Sequence, residues 1–466
     1  MEFIRKDLLN LTYKGVPSPE EVAEEIGIPE EALVKLNANE NSFGAPQVVR
    51  DAVARELSKA HIYPDPAQRK LRADLAKLHA DALEHGIEQV VAGAGSDDIL
   101  DVIIRLFSPK EIIICSPTFG MYEFLGTLAR ASVVDVPRCT ETFDIKQQAL
   151  IQRIRESNKQ QGRPPLLFLP SPNNPTGNSL SIQQVESLCN EPCIFIIDEA
   201  YAEFSSTPTA ASLLRRYSNL IICRTFSKWA GLAGLRVGYA LAARELAEVM
   251  LAIKQPYNVN LAADVAARTA LLHRQHILET VHALKAERDR LFKELQTIDW
   301  LHPYPSDANF VLCKVTGKLK ASALALKLKH KGILIRHFGT QGGDLEEFVR
   351  FSSGTPRDID RLLEELKRMD REPFDYFLQQ LSFPLETQAI LFDMDGVLAD
   401  VSSSYRIAII KTTASYGVSI TLDDIARAKA KGGCNNDWEL SKSLLEQFWC
   451  GTDKVMALAL PLESSD

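Results

Sequence analysis

The chain has 466 residues, a formal net charge of −8 and 45% hydrophobic residues. This composition is typical of a soluble globular protein and excludes an intrinsically disordered chain. The length allows roughly three domains of about 150 residues, each large enough to bury a full core. The acidic balance argues against nucleic-acid binding or a membrane-adhesive surface, because both need a broad basic field. An anionic ligand would therefore need a local cationic pocket.

The longest apolar runs have the length of strands, so the sequence predicts no membrane-spanning helix. The N-terminal residues MEFIRKDLLN mix charges with apolar side chains and show no signal-peptide pattern, which indicates a cytoplasmic protein. The eight cysteines are scattered singly, without the paired spacing of a metal site. We therefore expect buried free thiols and no bound metal.

Short β-rich runs alternate with helical segments between about residues 88 and 241. The predicted strands are EQVVA, EIIICS, SVVDV, LLFLP, CIFIID and NLIICR, and SIQQVESLCN at 181–190 has helical periodicity. This alternation predicts an α/β fold with a mainly parallel sheet, in which binding sites form beyond the strand ends. A long amphipathic stretch at about 263–297 then leads out of this large domain.

A smaller α+β domain is predicted after that stretch. Its expected strands are NFVLCKV, GILIRHF and FVRFSS, and its expected helices are ASALALKLKHK and DIDRLLEELKRM. We therefore divide the chain into an N-terminal arm that belongs with the small domain (1–45), the large domain (46–265), the small domain (266–371), a linker (372–387) and a further segment (388–466).

Polar residues follow three predicted strands of the large domain. SPNNPTG at 171–177 forms a turn that can present the amide of Asn174 to a ligand. Asp198 ends the next strand, with Tyr201 close behind, and a buried carboxylate is costly unless it pairs with a cation. Lys228 follows the third strand in FSKWAGLAGLRVGY, where a desolvated amine can act as a nucleophile. Each feature alone also fits an ordinary turn, ion pair or surface lysine, but together they indicate a site for a pyridine-aldehyde cofactor.

These segments resemble the histidinol-phosphate aminotransferase family of fold-type I pyridoxal-phosphate enzymes, over about residues 1–370. The motifs that carry the resemblance are LNANENSFG (36–44), YPDP (63–66), GAGSDD (93–98), PTFGMY (117–122), SPNNPTG, DEAY, FSKWAGLAGLRVGY, PSDANF (305–310) and VRFSSGTP (349–356). The family often has Asn where this chain has Ala94, and Ala-Phe where it has Trp229 and Ala230. Neither departure removes a group that the chemistry requires.

The resemblance implies a role for each cofactor-binding residue. Lys228 would hold pyridoxal phosphate covalently and then move a proton between substrate and cofactor. Asp198 would keep the pyridine nitrogen protonated, and these two residues with Tyr201 would be the catalytic set. Asn174 and Tyr201 would hydrogen-bond the ring hydroxyl, while Phe119 would stack on the ring. The cofactor phosphate would be bound at a helix start and by the lysine loop, through Gly95, Ser96, Asp97, Ser227 and Arg236.

The resemblance also implies the substrate and the assembly. Arg350 and Arg336 would bind an anionic group of the substrate, and Asn39 would line the same pocket. Tyr63 would reach the cofactor phosphate of a neighbouring subunit, which implies a homodimer with composite sites. The expected reaction transfers the amino group of L-histidinol phosphate to 2-oxoglutarate in histidine biosynthesis, giving imidazole acetol phosphate and L-glutamate. Two alternatives stay open, an aromatic amino-acid aminotransferase and a non-catalytic regulatory protein that binds the cofactor.

A different motif lies in the segment 388–466. QAILFDMDGVLAD ends a predicted strand with Asp393 and Asp395 two residues apart. It resembles the first motif of haloacid-dehalogenase phosphatases, in which both carboxylates lie near Mg²⁺. The later motifs of that fold cannot be located, so we interpret the segment as a truncated phosphatase-like piece that is inactive by itself.

Overall fold

The computed structural model describes residues 4–371, except residues 10, 14, 318 and 340–344, together with Thr421. Residues 4–371 lie within one compact unit, Met1–Pro373. The predicted linker at 372–387 and, apart from Thr421, the phosphatase-like segment with Asp393 and Asp395 lie outside the described residues.

The strands of the described residues form two sheets. In chain order they are β1 (Val34–Leu36), β2 (Val90–Gly93), β3 (Glu111–Ile114), β4 (Ser132–Asp135), β5 (Leu166–Pro170), β6 (Ile194–Asp198), β7 (Leu220–Thr225), β8 (Gly238–Leu241), β9 (Leu301–Pro303), β10 (Phe310–Val315), β11 (Ile333–His337) and β12 (Phe348–Ser352). The larger sheet has the order β2-β8-β7-β6-β5-β3-β4, and the smaller sheet has the order β1-β11-β12-β10-β9.

The larger sheet is mainly parallel, as the alternating pattern predicts. Strand β3 pairs in parallel with β4 and β5, and β6 pairs in parallel with β5 and β7. Strand β8 runs antiparallel to both of its neighbours, β2 and β7. All six predicted strands of this region are confirmed. The carboxyl ends of β5, β6 and β7 consequently lie at one edge of the sheet.

Helices cover both faces of the larger sheet. The α-helices of the described residues are α1 (Pro19–Ile26), α2 (Gln47–Glu56), α3 (Arg69–Leu78), α4 (Ser96–Phe107), α5 (Met121–Leu128), α6 (Gln147–Gln161), α7 (Ile182–Cys189), α8 (Arg244–Ile253), α9 (Leu261–Leu272), α10 (Arg274–Leu295), α11 (Ala321–His330) and α12 (Pro356–Arg371). Successive strand residues point to opposite faces. Ile113 therefore joins the core beneath α3 and α6, whereas Ile112 and Ile114 join the core beneath α4, α5 and α8.

The amphipathic stretch predicted at 263–297 consists of two helices, α9 and α10. They meet at His273, whose φ of −104° and ψ of 22° depart from helical geometry. Helix α9 buries only alanines, which let it pack closely against α2 and α3. Helix α10 instead buries larger side chains such as Ile277 and Leu284. The two helices therefore pack against different neighbours: α9 packs against α2 and α3, and α10 packs against α12, β9 and β10.

The smaller sheet combines the N-terminal and C-terminal parts of the described chain. Strand β1 pairs in parallel with β11, while β11, β12, β10 and β9 pair antiparallel in that order. The three strands predicted for the small domain are confirmed as β10, β11 and β12. The predicted boundaries after residues 45 and 265 stay predictions.

The cysteines of the described residues are free thiols, as expected. Cys115, Cys189, Cys193, Cys223 and Cys313 are buried. The expectation of burial is wrong for Cys139, because this residue lies in the loop after β4 and is partly exposed. Within the described part of the chain, no helix is long and apolar enough to span a membrane. The same residues contain no His, Cys, Asp and Glu cluster that could hold a metal ion.

Candidate active site

Three strands of the larger sheet place an amide, a carboxylate and an amine at one edge. Asn174 follows β5, Asp198 ends β6 and Lys228 follows β7. Because these strands are parallel neighbours, the three residues lie at the carboxyl end of the sheet, where ligands bind in open α/β folds.

Asp198 is a buried carboxylate, with 4% of its surface exposed. Its Oδ2 accepts a hydrogen bond of 2.9 Å from the Tyr122 hydroxyl, and its Oδ1 accepts one of 3.0 Å from the Ala200 amide. Burial raises the pKa of Asp198 to about 6, against the opposing effect of these two donors. A cation beside Asp198 would favour the ionised form.

Lys228 lies partly buried between the two sheets. Its Nζ donates a hydrogen bond of 3.1 Å to the carbonyl oxygen of Ala38 and lies 6.0 Å from the centre of the Tyr201 ring. Burial lowers the pKa of Lys228 to about 8, and the Arg350 cation adds to this effect. A larger fraction of this lysine is consequently the neutral, nucleophilic amine near neutral pH than for an ordinary lysine.

A glycine after the lysine allows two loops to pack together. Gly231 has a φ of +67°, and a Cβ there would lie 2.5 Å from the carbonyl oxygen of Gly44. Only glycine fits this close approach without strain. The lysine loop therefore packs directly against the LNANENSFG segment.

The start of α4 forms a cradle with the guanidinium of Arg236. Gly95 precedes the helix with a φ of +85°, and a Cβ there would lie 2.6 Å from Arg236 Nη2. Arg236 pairs with Asp97 at 3.1 Å, and Ser96 begins the helix. Free N–H groups and the positive end of the helix dipole favour an anion at such a position. Ser227 lies in the lysine loop, where its Oγ accepts a hydrogen bond of 2.9 Å from Thr225.

The smaller sheet contributes two arginines. Arg336 and Arg350 lie directly opposite each other on β11 and β12, so both side chains project from the same face of the smaller sheet. Arg350 is buried and donates hydrogen bonds to Asn174 Oδ1 and, at 2.8 Å, to the carbonyl oxygen of Asn37. Its Nε has no partner among the described residues. Burial lowers the pKa of Arg350 to about 10.

Asn39 connects the smaller sheet to Tyr201. Its Nδ2 donates a hydrogen bond of 3.0 Å to the Tyr201 hydroxyl, and its Oδ1 accepts one of 3.0 Å from Ser352. The backbone of Asn39 has a φ of 54°, and its carbonyl oxygen accepts a hydrogen bond from Asn309. The structure therefore brings Asn39, Tyr201, Asn174, Arg350 and Lys228 together between the two sheets.

Two other predicted residues have different surroundings. Phe119 precedes α5 and meets Tyr122 edge-on, with ring centres 5.5 Å apart. Tyr63 is 80% exposed and stacks on Tyr257 with ring centres 4.7 Å apart. Within a single chain, Tyr63 is not part of the candidate site.

Sequence reasoning missed two aromatic residues near the site. Tyr122 lies within the PTFGMY motif, three positions after Phe119, so the motif could have marked it as a residue near the site, although not its contact with Asp198. Tyr13 precedes α1 and is 43% exposed, and its partial burial raises its pKa against the opposing charges of Arg336 and Arg350. No pattern in the sequence links Tyr13 to those two arginines.

A buried ion cluster stabilises the ends of β6 and β7. Arg224 donates hydrogen bonds of 2.7 and 3.0 Å to Glu199 and one of 3.1 Å to Glu203. Glu199 also accepts hydrogen bonds from Thr209 and from the Ala210 amide, so its charge is well compensated. Breaking such a buried pair strongly destabilises a protein. The cluster fixes Glu199, which directly follows Asp198, against the strand that leads to Lys228.

The chain matches the family model for aminotransferase class I and II over residues 31–366. This chain belongs to the class I and II aminotransferase family. The family predicted from the motifs and the fold-type I α/β architecture of residues 4–371 are therefore confirmed. The resemblance of residues 388–466 to phosphatases stays a prediction.

The chain is similar to several histidinol-phosphate aminotransferases. The protein of that name from Dehalococcoides mccartyi is 43% identical over 371 residues, which cover 79% of this chain and 98% of the relative. The one from Roseiflexus castenholzii is 41% identical over 375 residues, with 78% and 98% covered. The crystal structure of histidinol-phosphate aminotransferase from Sinorhizobium meliloti in complex with pyridoxal-5'-phosphate has a TM-score of 0.70 and 25% identity, with 80% of this chain and 99% of that chain covered.

Proposed function

We propose that this chain is a pyridoxal-phosphate-dependent aminotransferase that exchanges the amino group of L-histidinol phosphate with 2-oxoglutarate. The products are imidazole acetol phosphate and L-glutamate. The names of the similar proteins and the cofactor in the Sinorhizobium meliloti structure support this assignment. The cytoplasmic location stays a prediction from the sequence.

The residues of the site fit pyridoxal phosphate. Asp198 is a buried carboxylate that has two neutral donors and no cationic partner among the described residues, so a ring cation would compensate its charge. Lys228 has a lowered pKa and is able to attach an aldehyde. The cradle at Gly95 and Arg236 suits a phosphate, because it combines a helix start with a guanidinium.

When bound, pyridoxal phosphate supplies an electron-accepting ring that stabilises negative charge on the substrate carbon. Lys228 Nζ would hold the cofactor, and its free amine would move the proton at that carbon. Asp198 keeps a proton on the ring nitrogen by its negative charge. Tyr201 and Asn174 orient the ring through hydrogen bonds. Arg350, on β12, and Asn39, after β1, would line the same pocket.

The paired arginines are the observation that carries the substrate assignment. Arg336 and Arg350 face the same way from adjacent strands, although like charges directly opposite each other destabilise a sheet. Neither forms an ion pair with a carboxylate among the described residues. A dianionic group between them would relieve the repulsion, and a phosphate matches two guanidinium groups in charge and geometry. The same arginines would hold a carboxylate of glutamate in the second half of the reaction.

Arg336→Gln is expected to remove most of the preference for a phosphorylated donor. A hydrogen bond between charged groups contributes about 1.5–3 kcal/mol, so the ratio of kcat/KM for histidinol phosphate to that for histidinol should fall about tenfold to a hundredfold. Steady-state assays with both donors measure the ratio. The matched control is Arg357→Gln, which replaces an exposed arginine on α12 and should leave this ratio of kcat/KM values unchanged. An unaltered ratio in Arg336→Gln would refute the phosphate subsite.

We infer in addition that the enzyme is a homodimer in which Tyr63 completes the partner's site. Tyr63 is strongly exposed and lies with other exposed apolar side chains, among them Ile62 and Tyr257. Its hydroxyl would bind the cofactor phosphate of the second subunit. In such a dimer, the second subunit would contact Tyr63, which is largely exposed in a single chain.

Mixed dimers test this arrangement. Tyr63→Phe should weaken cofactor retention, and Lys228→Ala should be inactive. A heterodimer of the two variants has one site that contains both Lys228 and the Tyr63 contributed by the other subunit. At limiting cofactor, the activity of the mixture should therefore exceed the summed activities of the two separate variants. The control mixes wild-type chain with the double variant, whose heterodimer has no complete site. No gain in the first mixture, with subunit exchange verified, would place Tyr63 in its own subunit's site.

A further inference from the structure

Tyr122 is a buried tyrosine whose hydroxyl reaches the carboxylate of Asp198. It is 1% exposed, and its hydroxyl donates the 2.9 Å hydrogen bond to Asp198 Oδ2. The ring stacks on Phe168 with centres 5.2 Å apart and planes at 13°, while Phe119 meets its edge. These aromatic contacts fix the ring, so the hydroxyl has one direction in which to donate.

The hydrogen bond has a definite chemical effect on Asp198. A neutral hydroxyl that donates to a carboxylate stabilises the ionised form. Burial, together with the charge of Asp198, raises the pKa of Tyr122 well above its ordinary value, so this donor does not ionise. The Ala200 amide occupies the other carboxylate oxygen. The two donors together hold the carboxylate in one orientation at the end of β6.

We propose that Tyr122 is a positioning residue that orients Asp198 and keeps the shared proton on the cofactor's ring nitrogen. The proposal rests on the proposed function, because it requires pyridoxal phosphate to bind with that nitrogen at Asp198. Without the hydroxyl, Asp198 loses one of its two donors and becomes a stronger base. The proton then moves from the ring nitrogen towards Asp198, and the ring accepts electrons less well. Tyr122 thus acts on the reaction through Asp198.

Tyr122 also packs in the core beneath α4 and α5, and packing alone would explain its burial. A Tyr122→Phe substitution distinguishes the packing role from the positioning role. Phenylalanine keeps the ring between Phe119 and Phe168 but cannot donate to Asp198. A packing role therefore predicts no change on substitution, whereas a positioning role predicts a change at the ring nitrogen.

The test compares Tyr122→Phe holoenzyme with wild type by ¹⁵N NMR of pyridoxal phosphate labelled at the ring nitrogen. We expect the signal to shift towards that of the unprotonated nitrogen, and kcat to fall about tenfold to a hundredfold, as for the loss of a hydrogen bond to a charged group. Tyr239→Phe is the matched control, because it removes a buried tyrosine hydroxyl that bonds His79 instead of Asp198. Phe168→Leu disturbs the packing and keeps the hydroxyl.

The outcomes separate the two hypotheses. Both control variants should retain the wild-type ¹⁵N signal if the hydroxyl is responsible. A wild-type signal in Tyr122→Phe, or an equal shift in Phe168→Leu, would overturn the positioning role and leave the proposed function intact. A wild-type chain that binds no pyridoxal phosphate would overturn the proposed function and this inference with it. Thermal unfolding of each variant establishes that the compared proteins are folded.

Discussion

Lys228→Ala is expected to abolish amino transfer while the cofactor still binds noncovalently. The lysine amine serves both as the attachment point and as the group that moves the proton, and positioned proton transfer alone is typically worth about 10²–10⁴-fold. We therefore expect kcat to fall by at least that factor. Steady-state turnover with histidinol phosphate and 2-oxoglutarate measures the loss, and absorbance after desalting measures bound cofactor.

Lys110→Ala is the matched control for this substitution, because it removes an exposed lysine beside β3. It should leave both turnover and cofactor content unchanged. Turnover of Lys228→Ala within tenfold of wild type would show that another group attaches the cofactor, and the site assignment would be wrong.

Asp198→Asn is expected to retain cofactor and lose most of its activity. The asparagine amide is neutral and cannot hold the ring nitrogen in its cationic form, so the ring accepts electrons poorly. Loss of a preorganised electrostatic contact typically costs about 10²–10³-fold in kcat. Single-turnover rates with histidinol phosphate measure the effect on the chemical step.

Two further variants of acidic residues sharpen this prediction. Asp198→Glu keeps the charge but adds a methylene, which displaces the carboxylate from the Tyr122 hydroxyl and the Ala200 amide, so activity should also fall. Asp299→Asn changes an exposed aspartate and should have no effect. Near wild-type rates in Asp198→Asn would eliminate the proposed electrostatic role of this carboxylate.

The sequence predicts the larger sheet well because its buried parallel strands are short, apolar and β-branched. It also predicts that Asn174, Asp198 and Lys228 share an edge, since each follows a strand and parallel strands end together. Family motifs add the residues of the smaller sheet, such as Arg350. These inferences need only local sequence patterns, which can be recognised in a single sequence.

Contacts between distant segments could not be predicted in the same way. The hydrogen bond from Asn39 to Tyr201 spans 162 positions, and the one from Arg350 to Asn174 spans 176. Such pairs arise from the packing of two sheets, which no local periodicity encodes. The hydrogen bond between Tyr122 and Asp198 spans 76 positions and instead joins α5 to the end of β6 in the larger sheet. The break at His273 was also missed, because neither Gly nor Pro marks it.

The assignment of histidinol phosphate as the amino donor can be tested by single-turnover spectroscopy of the purified cofactor-bound enzyme. The enzyme is mixed in separate reactions with the same concentration of histidinol phosphate, phenylalanine, tyrosine or glutamate. The decay of the visible band of the lysine-bound cofactor is followed in each reaction. We predict that histidinol phosphate discharges the band at least about tenfold faster than phenylalanine or tyrosine, because its phosphate is held by Arg336 and Arg350. Faster decay with phenylalanine or tyrosine would contradict the assignment and identify an aromatic amino-acid aminotransferase.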